Sequence, residues 1–385
     1  MSALHCVIIF SSFGPYHVAR LAGAVKSGNH AHCVITGLEI APVSETYAWS
    51  TEKPDKELRI VSLFPERILE TVSQPSQMRR MWQALASLNP DLLAISGYDR
   101  LAMLTALAWA KKNRKSAILM SDSKADDQPR QRWREWLKSQ IVRRFDAALV
   151  AGTPQKDYAT SLGIPAKRVF LGYDVVNNSH YALGAAAARR QAQTYRQKSQ
   201  KLNLPTPYFL TVARFIEKKN LFRLVEAYRQ YRKRYSDPWD LVICGSGPQA
   251  RELQAAAAEV SGIHFPGFKQ LDELPIYYGL ASAFILASSH FEQWGLVVNE
   301  AMAAGLPVLV SRACGCAPDL VREGVNGFTF DPYDVGGLAG LMVRMSSGEL
   351  NLKAMGEASQ VIIAGWTPEV FGENLLRAVD AARGS

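Results

Sequence analysis

Glu292 and Glu300 stand eight residues apart, with Gly295 and an apolar run between them. The preceding Ala283-Phe284-Ile285-Leu286-Ala287 has the pattern of a short buried strand, and Ser288-Ser289-His290 that of a polar loop. Gly295 to Ala304 has the pattern of a helix, ended by Gly305-Leu306-Pro307. Glu292 is therefore expected in the loop at a strand's C-terminal end, and Glu300 inside the next helix. The N–H groups of that helix's first turn, near Gly295, Leu296 and Val297, lack intrahelical acceptors. With the helix dipole they suit an anion such as phosphate. Phosphate repels a carboxylate beside it, so the glutamates would accept hydrogen bonds from hydroxyls, which ribose and hexose both carry. Taken alone, two glutamates are also read as solvated charges on a surface helix.

Other strand ends carry further candidates. Arg214 follows the apolar Tyr208–Ala213 and Lys219 comes five residues later, so both fall where α/β sheets bind ligands. Two cations there could hold a diphosphate, arginine by bidentate contact and lysine as a point charge; the plainer reading is an exposed basic loop that includes Lys218. Gly245-Ser246-Gly247-Pro248 fits either a tight structural turn or close approach to a ligand. Ser12-Phe13-Gly14-Pro15 occupies the equivalent place after the first strand, and His17 opens the first helix, facing either solvent or an acceptor. Ser121 and Asp122 follow the strand Ala117–Met120, and Gly97-Tyr98-Asp99 follow Leu92–Ser96. Asp122 could bond a hydroxyl or cap its own loop as an Asx turn.

The elements that would position these residues come in two series. With 385 residues, 48% hydrophobic and 21% charged, the chain is long and apolar enough for two globular cores. Strands are expected at Cys6–Phe10, His32–Thr36, Leu58–Phe64, Leu92–Ser96, Ala117–Met120 and Ala147–Ala151, with helices at Gln77–Leu88, Arg100–Lys112, Gln131–Arg144 and Pro154–Leu162 between them. A second series has strands at Pro207–Ala213, Leu241–Cys244, Ile263–Phe265, Ala283–Ala287, Pro307–Ser311 and Gly327–Phe330. Such alternation argues parallel sheets covered on both faces. The expected division is an N-terminal domain over 1–180, an Ala/Gln/Arg/Lys-rich linker over 181–206 and a C-terminal domain over 207–366. A last amphipathic helix is expected over Pro368–Ala382.

Glu292-x7-Glu300, Gly305-Leu306-Pro307-Val308, Glu323-Gly324-Val325-Asn326-Gly327 and the upstream Ala213-Arg214-Phe215-Ile216-Glu217-Lys218-Lys219-Asn220 together resemble the retaining glycosyltransferases of family 4. The resemblance covers most of the C-terminal half, in the family's order. It implies an α/β fold of the GT-B type, two Rossmann-like domains facing across a cleft, with the final helix over 367–385 crossing back to the N-terminal domain. It further implies that Arg214 and Lys219 hold the donor's diphosphate, Glu292 faces the donor sugar and Glu300 binds ribose hydroxyls. Backbone amides of Leu296 and Val297 would reach the phosphates. Gly267-Phe268-Lys269 would contact the base, expected to be uridine, and Gly14 would lie beside the diphosphate. Many members place a histidine near the fifth strand; Ser121 and Asp122 stand in that region here. With His17 and Tyr98 they are the acceptor candidates. The family's front-face displacement, in which the leaving diphosphate helps deprotonate the acceptor, needs no dedicated base.

No metal or other cofactor is expected: there is no Asp-x-Asp, and Asp126-Asp127 is an unspaced pair. A nucleotide sugar would be the donor, and a glycan, a lipid-linked molecule or a small metabolite the acceptor. The alternatives are a non-catalytic nucleotide-sugar-binding or partner subunit, and a sugar-nucleotide hydrolase or epimerase on the same scaffold. The net charge of +9 gathers at Arg130–Arg134, Lys138–Arg144 and Arg189–Lys201, suiting an anionic membrane surface or phosphate-bearing substrates. No motif accompanies it that would indicate nucleic acid. Trp133 and Trp136 among the arginines read either as an amphipathic anchor or as an ordinary helix with one packed and one solvated face. No run of about 18 apolar residues occurs. The N-terminus lacks a signal-peptide pattern, and the five cysteines read as reduced thiols. The expectation is a cytoplasmic protein, with peripheral contact at the inner membrane face left open.

Overall fold

The computed structural model describes residues 3–45, 58–191, 204–289 and 291–384. They fall into two α/β units, one of Met1–Val176 with Trp366–Ser385 and one of Asn177–Gly365.

The first unit is built on seven parallel strands: β1 (Leu4–Phe10), β2 (Cys33–Glu39), β3 (Ile60–Ser62), β4 (Leu92–Ser96), β5 (Ser116–Ser121), β6 (Ala147–Val150) and β7 (Val169–Leu171), in the order β3-β2-β1-β4-β5-β6-β7. Alternate residues of one strand feed two cores, as the period of two requires. Leu93 and Ile95 join Leu119, Met103 and Trp109 on one face. Leu92 and Ala94 join Ile118, Met120 and Phe371 on the other. Both faces are covered, so the strands read as unbroken apolar runs. The three-residue β7 is too short to announce itself in sequence.

The last helix, Pro368–Arg383, belongs to this unit and buries Phe371, Leu375, Ala378, Val379 and Ala382, a single stripe at helical spacing. It crosses helix Pro15–His30 where both carry glycine. A Cβ on Gly23 would sit 1.9 Å from the Pro368 carbonyl oxygen, and one on Gly372 would sit 2.4 Å from that of Gly23. No larger residue allows this approach.

The second unit has six parallel strands: β8 (Tyr208–Val212), β9 (Asp240–Cys244), β10 (Ile263–Gly267), β11 (Ala283–Leu286), β12 (Val308–Ser311) and β13 (Gly327–Phe330), in the order β10-β9-β8-β11-β12-β13. Phe209, Ile243, Ile285 and Leu309 pack under Leu224, Tyr228 and Tyr231 of helix Leu221–Arg234.

The segment expected as a linker differs from that reading. Its first part lies in helix Asn178–Arg190, inside the second unit and packed on helix Leu274–Leu280. Gly184 faces Pro275 there, where a Cβ would come within 2.5 Å of the proline's own Cβ. The alanine-rich composition that suggested a connector instead permits close helix packing. Residues 192–203, with most of the expected basic cluster Arg189–Lys201, lie outside the described residues, as does His290.

In each sheet the strand order reverses beside the unit's first strand: β1 lies between β2 and β4, and β8 between β9 and β11. Ligands of open α/β sheets bind at the carboxyl ends of strands at such a switch point.

Candidate functional site

In the second unit the switch point brings the sequence candidates together. The loop after β8 carries Arg214 and a short 3-10 turn, Glu217–Lys219. Asn220 ends the turn in the left-handed region, φ 56°, and is buried. Its side-chain amide donates to the carbonyls of Ala287 (3.1 Å) and Pro332 (2.8 Å), while its oxygen accepts from Arg223. The loop after β11 is tied to the same turn: the Ser289 amide donates to the Lys218 carbonyl at 2.8 Å. These bonds present Lys218 and Lys219 to Glu292.

Glu292 is buried. It accepts hydrogen bonds from Lys219 Nζ and, at 2.8 Å, from Ser288 Oγ; Lys218 Nζ lies 3.4 Å from its other oxygen. Burial alone would raise its pKa. Lys219, then Lys218, outweigh that, and the Lys219 and Ser288 hydrogen bonds add to them, holding the carboxyl down at about 2. It is a fixed anion at neutral pH. Arg214 is exposed at the start of the same loop.

Gly295 caps helix Leu296–Ala303 at φ 110°, and a Cβ there would lie 2.7 Å from Leu286 Cδ2. Glycine is thus required for both its conformation and its space. No side chain caps this helix, and Leu296 and Val297 are partly exposed in its first turn. The preceding turn is braced on both sides. The Trp294 indole donates to Asn299 Oδ1 at 3.0 Å, and the Gly315 amide donates to the Glu292 carbonyl at 3.2 Å.

Glu300 is fully buried and accepts a 2.6 Å hydrogen bond from Tyr278 Oη. The Tyr278 ring meets Tyr181, of helix Asn178–Arg190, edge to face at 5.8 Å. The supposed linker therefore supports the glutamate of the motif at second remove. Neither tyrosine carries a local sequence signal, because both lie far from Glu300 along the chain. Ser288 had one: a hydroxyl four residues before Glu292 in the same loop.

Gly267 ends β10 at φ 82°, followed by the exposed Phe268. Gly245 and Gly247 resolve in favour of a structural turn. A Cβ on Gly245 would lie 1.8 Å from the Ala213 carbonyl oxygen, and one on Gly247 within 2.7 Å of the Phe215 backbone. These glycines let the loop after β9 lie against the loop that carries the lysines.

The remaining candidates lie in the first unit. Gly14 precedes helix Pro15–His30, and its amide donates to His17 Nδ1 at 3.3 Å. The His17 ring packs on Phe10 at 4.2 Å. Burial, then Arg20, drives its pKa down to about 3, so the imidazole is neutral. His17 is a local brace for Gly14 rather than a solvent-facing charge. Sequence reading missed Glu39, which is buried at the end of β2. It accepts from the Phe13 amide at 2.7 Å and from Ser62 Oγ, fixing the same loop. Tyr98 and Ser121 come together around a small recess also lined by Gln155 and Tyr158. Burial lifts the Tyr98 phenol to about 12. Ser121 Oγ accepts from the Ser123 amide at 3.2 Å, and Asp122, partly exposed, follows it. Asp126 pairs with Lys124 Nζ at 2.6 Å, while Asp127 pairs with Arg130. Both carboxylates of the adjacent pair are thus occupied by cations. Among the described residues no group of three or more His, Cys, Asp or Glu is placed to hold a metal.

Two family models match the chain. One, described as glycosyl transferases group 1, covers residues 193–361; the other, a glycosyl transferase 4-like domain, covers residues 15–174. Among curated proteins, the chain is 30% identical over 190 residues to the GDP-mannose-dependent alpha-(1-6)-phosphatidylinositol monomannoside mannosyltransferase of Mycobacterium tuberculosis, an alignment spanning 46% of this chain and 49% of that one. It is 32% identical over 151 residues to the amylovoran biosynthesis glycosyltransferase AmsK of Erwinia amylovora, spanning 37% of each. The chain thus spans about half the length, or less, of these curated relatives. Two solved structures superpose over nearly all of it. Sucrose-phosphate synthase from Thermosynechococcus elongatus has a TM-score of 0.74 at 17% identity, covering 98% of this chain and 100% of that one. Anabaena HepE, in complex with UDP and glucose, has a TM-score of 0.70 at 14% identity, with the same coverage. At such identities the likeness carries the fold, two Rossmann-like domains of the GT-B type.

Proposed function

The chain belongs to the glycosyltransferases of family 4, and from that premise we propose that it is a retaining enzyme moving a hexosyl group from a nucleotide sugar to an acceptor hydroxyl. One observation carries the reading: a buried carboxylate, Glu292, held anionic by two lysines beside an uncapped helix N-terminus, with the buried Glu300 fixed inside that helix.

The arrangement suits the chemistry. A leaving diphosphate needs positive charge that is already in place. Lys218, Lys219, Arg214 and the first-turn amides supply it, and the ion pair with Glu292 keeps the lysine heads from swinging away. Glu292 cannot serve as a general acid near neutral pH with its pKa held at about 2. Its role is to orient hydroxyls of the donor sugar and to stabilise positive charge that develops as the bond to the diphosphate breaks. Glu300, oriented by its hydrogen bond from Tyr278, is the carboxylate proposed to meet ribose hydroxyls. Front-face displacement then leaves the acceptor's proton to the departing diphosphate, and no metal is called for. Uridine is the expected base. The mycobacterial relatives' donor is GDP-mannose, so GDP sugars belong in the same test. The acceptor is a glycan or a lipid-linked molecule, met at the cytoplasmic face of the membrane.

The test is a panel of UDP- and GDP-sugars, read by thermal shift and then by hydrolysis and transfer, on wild type and Glu300→Ala with chelator present. One sugar nucleotide is expected to stabilise wild type and not the variant, and the anomeric proton of the product is expected to keep the donor's configuration. A protein that no sugar nucleotide stabilises would sink the donor-site assignment. An inverted product, or activity that needs metal, would overturn the mechanism but leave the site.

A further inference from the structure

Helix Arg132–Val142 of the first unit buries only Ser139 and Val142. Trp133 and Trp136 are 60% and 62% exposed, and Leu137 is exposed beside them. A soluble surface seldom leaves two adjacent indoles in water without a use for them. At 100° per residue, Trp136, Gln140, Trp133 and Leu137 share one outward arc of roughly 100°, and the exposed Arg144 follows the helix's end. Arg132 and Arg143 flank it on one side and Arg134 on the other, all exposed. The Arg134 guanidinium lies 5.2 Å from the Trp133 ring centre. The helix's one acidic residue is turned away from this arc: Glu135 accepts from Tyr158 Oη at 2.6 Å, Lys138 Nζ at 2.9 Å and Arg130 at 3.2 Å. The outward face is therefore aromatic, apolar and cationic, with its only carboxylate neutralised beneath it.

We propose that this face is a membrane-docking surface, which seats Trp133, Trp136 and Leu137 at the headgroup–acyl boundary of an anionic phospholipid bilayer and pairs Arg132, Arg134, Arg143 and Arg144 with its phosphates. Charge chooses the occupant. Two copies meeting face to face would bring their arginine rows together, which is repulsive, whereas anionic lipid supplies both the apolar layer and the opposite charge. The same network connects the face to the acceptor candidates: Tyr158, bonded to Glu135, lines the recess that holds Tyr98 and Ser121. The inference deepens the proposed function by making its acceptor a membrane lipid, and it rests on that reading only there, since vesicle binding needs no donor.

The test is sedimentation of the full chain with vesicles of phosphatidylcholine alone and of phosphatidylcholine mixed with phosphatidylglycerol. Binding to the mixed vesicles is expected, weaker by about tenfold on neutral ones. Trp133→Ala with Trp136→Ala is expected to lower the partition by about tenfold. Arg132→Glu with Arg143→Glu is expected to lower it at least as much and to flatten its salt dependence, with the circular dichroism of all variants unchanged. No binding to anionic vesicles, or equal binding by wild type and both variants, overturns the proposal. So does a dimer in light scattering that the tryptophan variant dissolves, which would give this face to a second copy. Loss of donor binding with vesicle binding intact would strike the proposed function alone.

Discussion

The candidate side chains at the two switch points differ in charge. In the second unit, charge is gathered: two partly exposed lysines close on a buried glutamate, and the carboxyl is held at about 2. In the first unit, two of the candidate side chains are kept uncharged: His17 is held neutral on Phe10, and the Tyr98 phenol is pushed up to about 12, while the buried charge nearby is internally paired as Arg20–Asp174. A surface that must meet a diphosphate gains from cations fixed in advance. A surface that meets uncharged hydroxyls gains from neutral groups and shape. On the proposed function, the contrast fits donor chemistry in the second unit and acceptor chemistry in the first.

The comparison breaks most visibly at Glu292. Glu292→Gln leaves two partly exposed lysine heads without their counter-charge. Transfer is expected to fall by about 10³-fold in kcat/KM, with a lower unfolding midpoint at pH 7. The carboxyl's folded pKa lies below its ordinary 4.5, so its stabilisation is complete above that value and lost as pH falls towards about 2. The midpoints of wild type and variant should therefore converge over that window in acid melts. If they stay parallel, the charge-gathering account of the second unit fails.

A smaller effect separates charge from positioning. Tyr278→Phe keeps the ring against Tyr181 and removes the hydroxyl that donates to Glu300. Donor affinity is expected to weaken by about ten- to a hundredfold, from the roughly 1.5–3 kcal/mol of a hydrogen bond to a charged group, with kcat little changed. Titration calorimetry with the donor identified by the panel measures it. An unchanged affinity would mean that the Tyr278 hydroxyl does not position Glu300 for the donor.

The smallest effect belongs to the first unit. His17 has its folded pKa lowered from 6.5 to about 3. Protons then favour the unfolded chain in that interval, and stability is lost as pH falls from 6.5 towards 3. His17→Gln removes that term, so its midpoint should fall less than wild type's between pH 7 and 5. The opposite slope would mean that the imidazole is charged in the folded protein, and the contrast between the units would lose its sharper half.

Much of the second unit's site was legible because its determinants are local. Glu292, Ser288, Gly295 and Glu300 lie within a single strand–loop–helix passage, and Lys218 and Lys219 follow the neighbouring strand β8. The first unit's candidates were less legible. Glu39 holds the Phe13 amide from 26 residues away, and nothing in its surroundings separates it from a solvated glutamate at a strand end. Trp133 and Trp136 fit a packed stripe as well as an exposed one, because helical spacing gives the faces of a helix but not which face meets the sheet.

By itself, the sequence determined the two alternating series, their parallel sheets and the strand ends that carry the candidate chemistry. Apolar periodicity, glycine and proline act over a few residues and are written where they act. Only the tertiary structure decided which side chains meet: that Tyr278 and helix Asn178–Arg190 stand behind Glu300, that two lysines hold Glu292 ionised, that His17 is neutral, and that the tryptophans face outward. Those outcomes depend on strand order and helix packing, which join residues far apart in the chain and set the burial that fixes each group's charge.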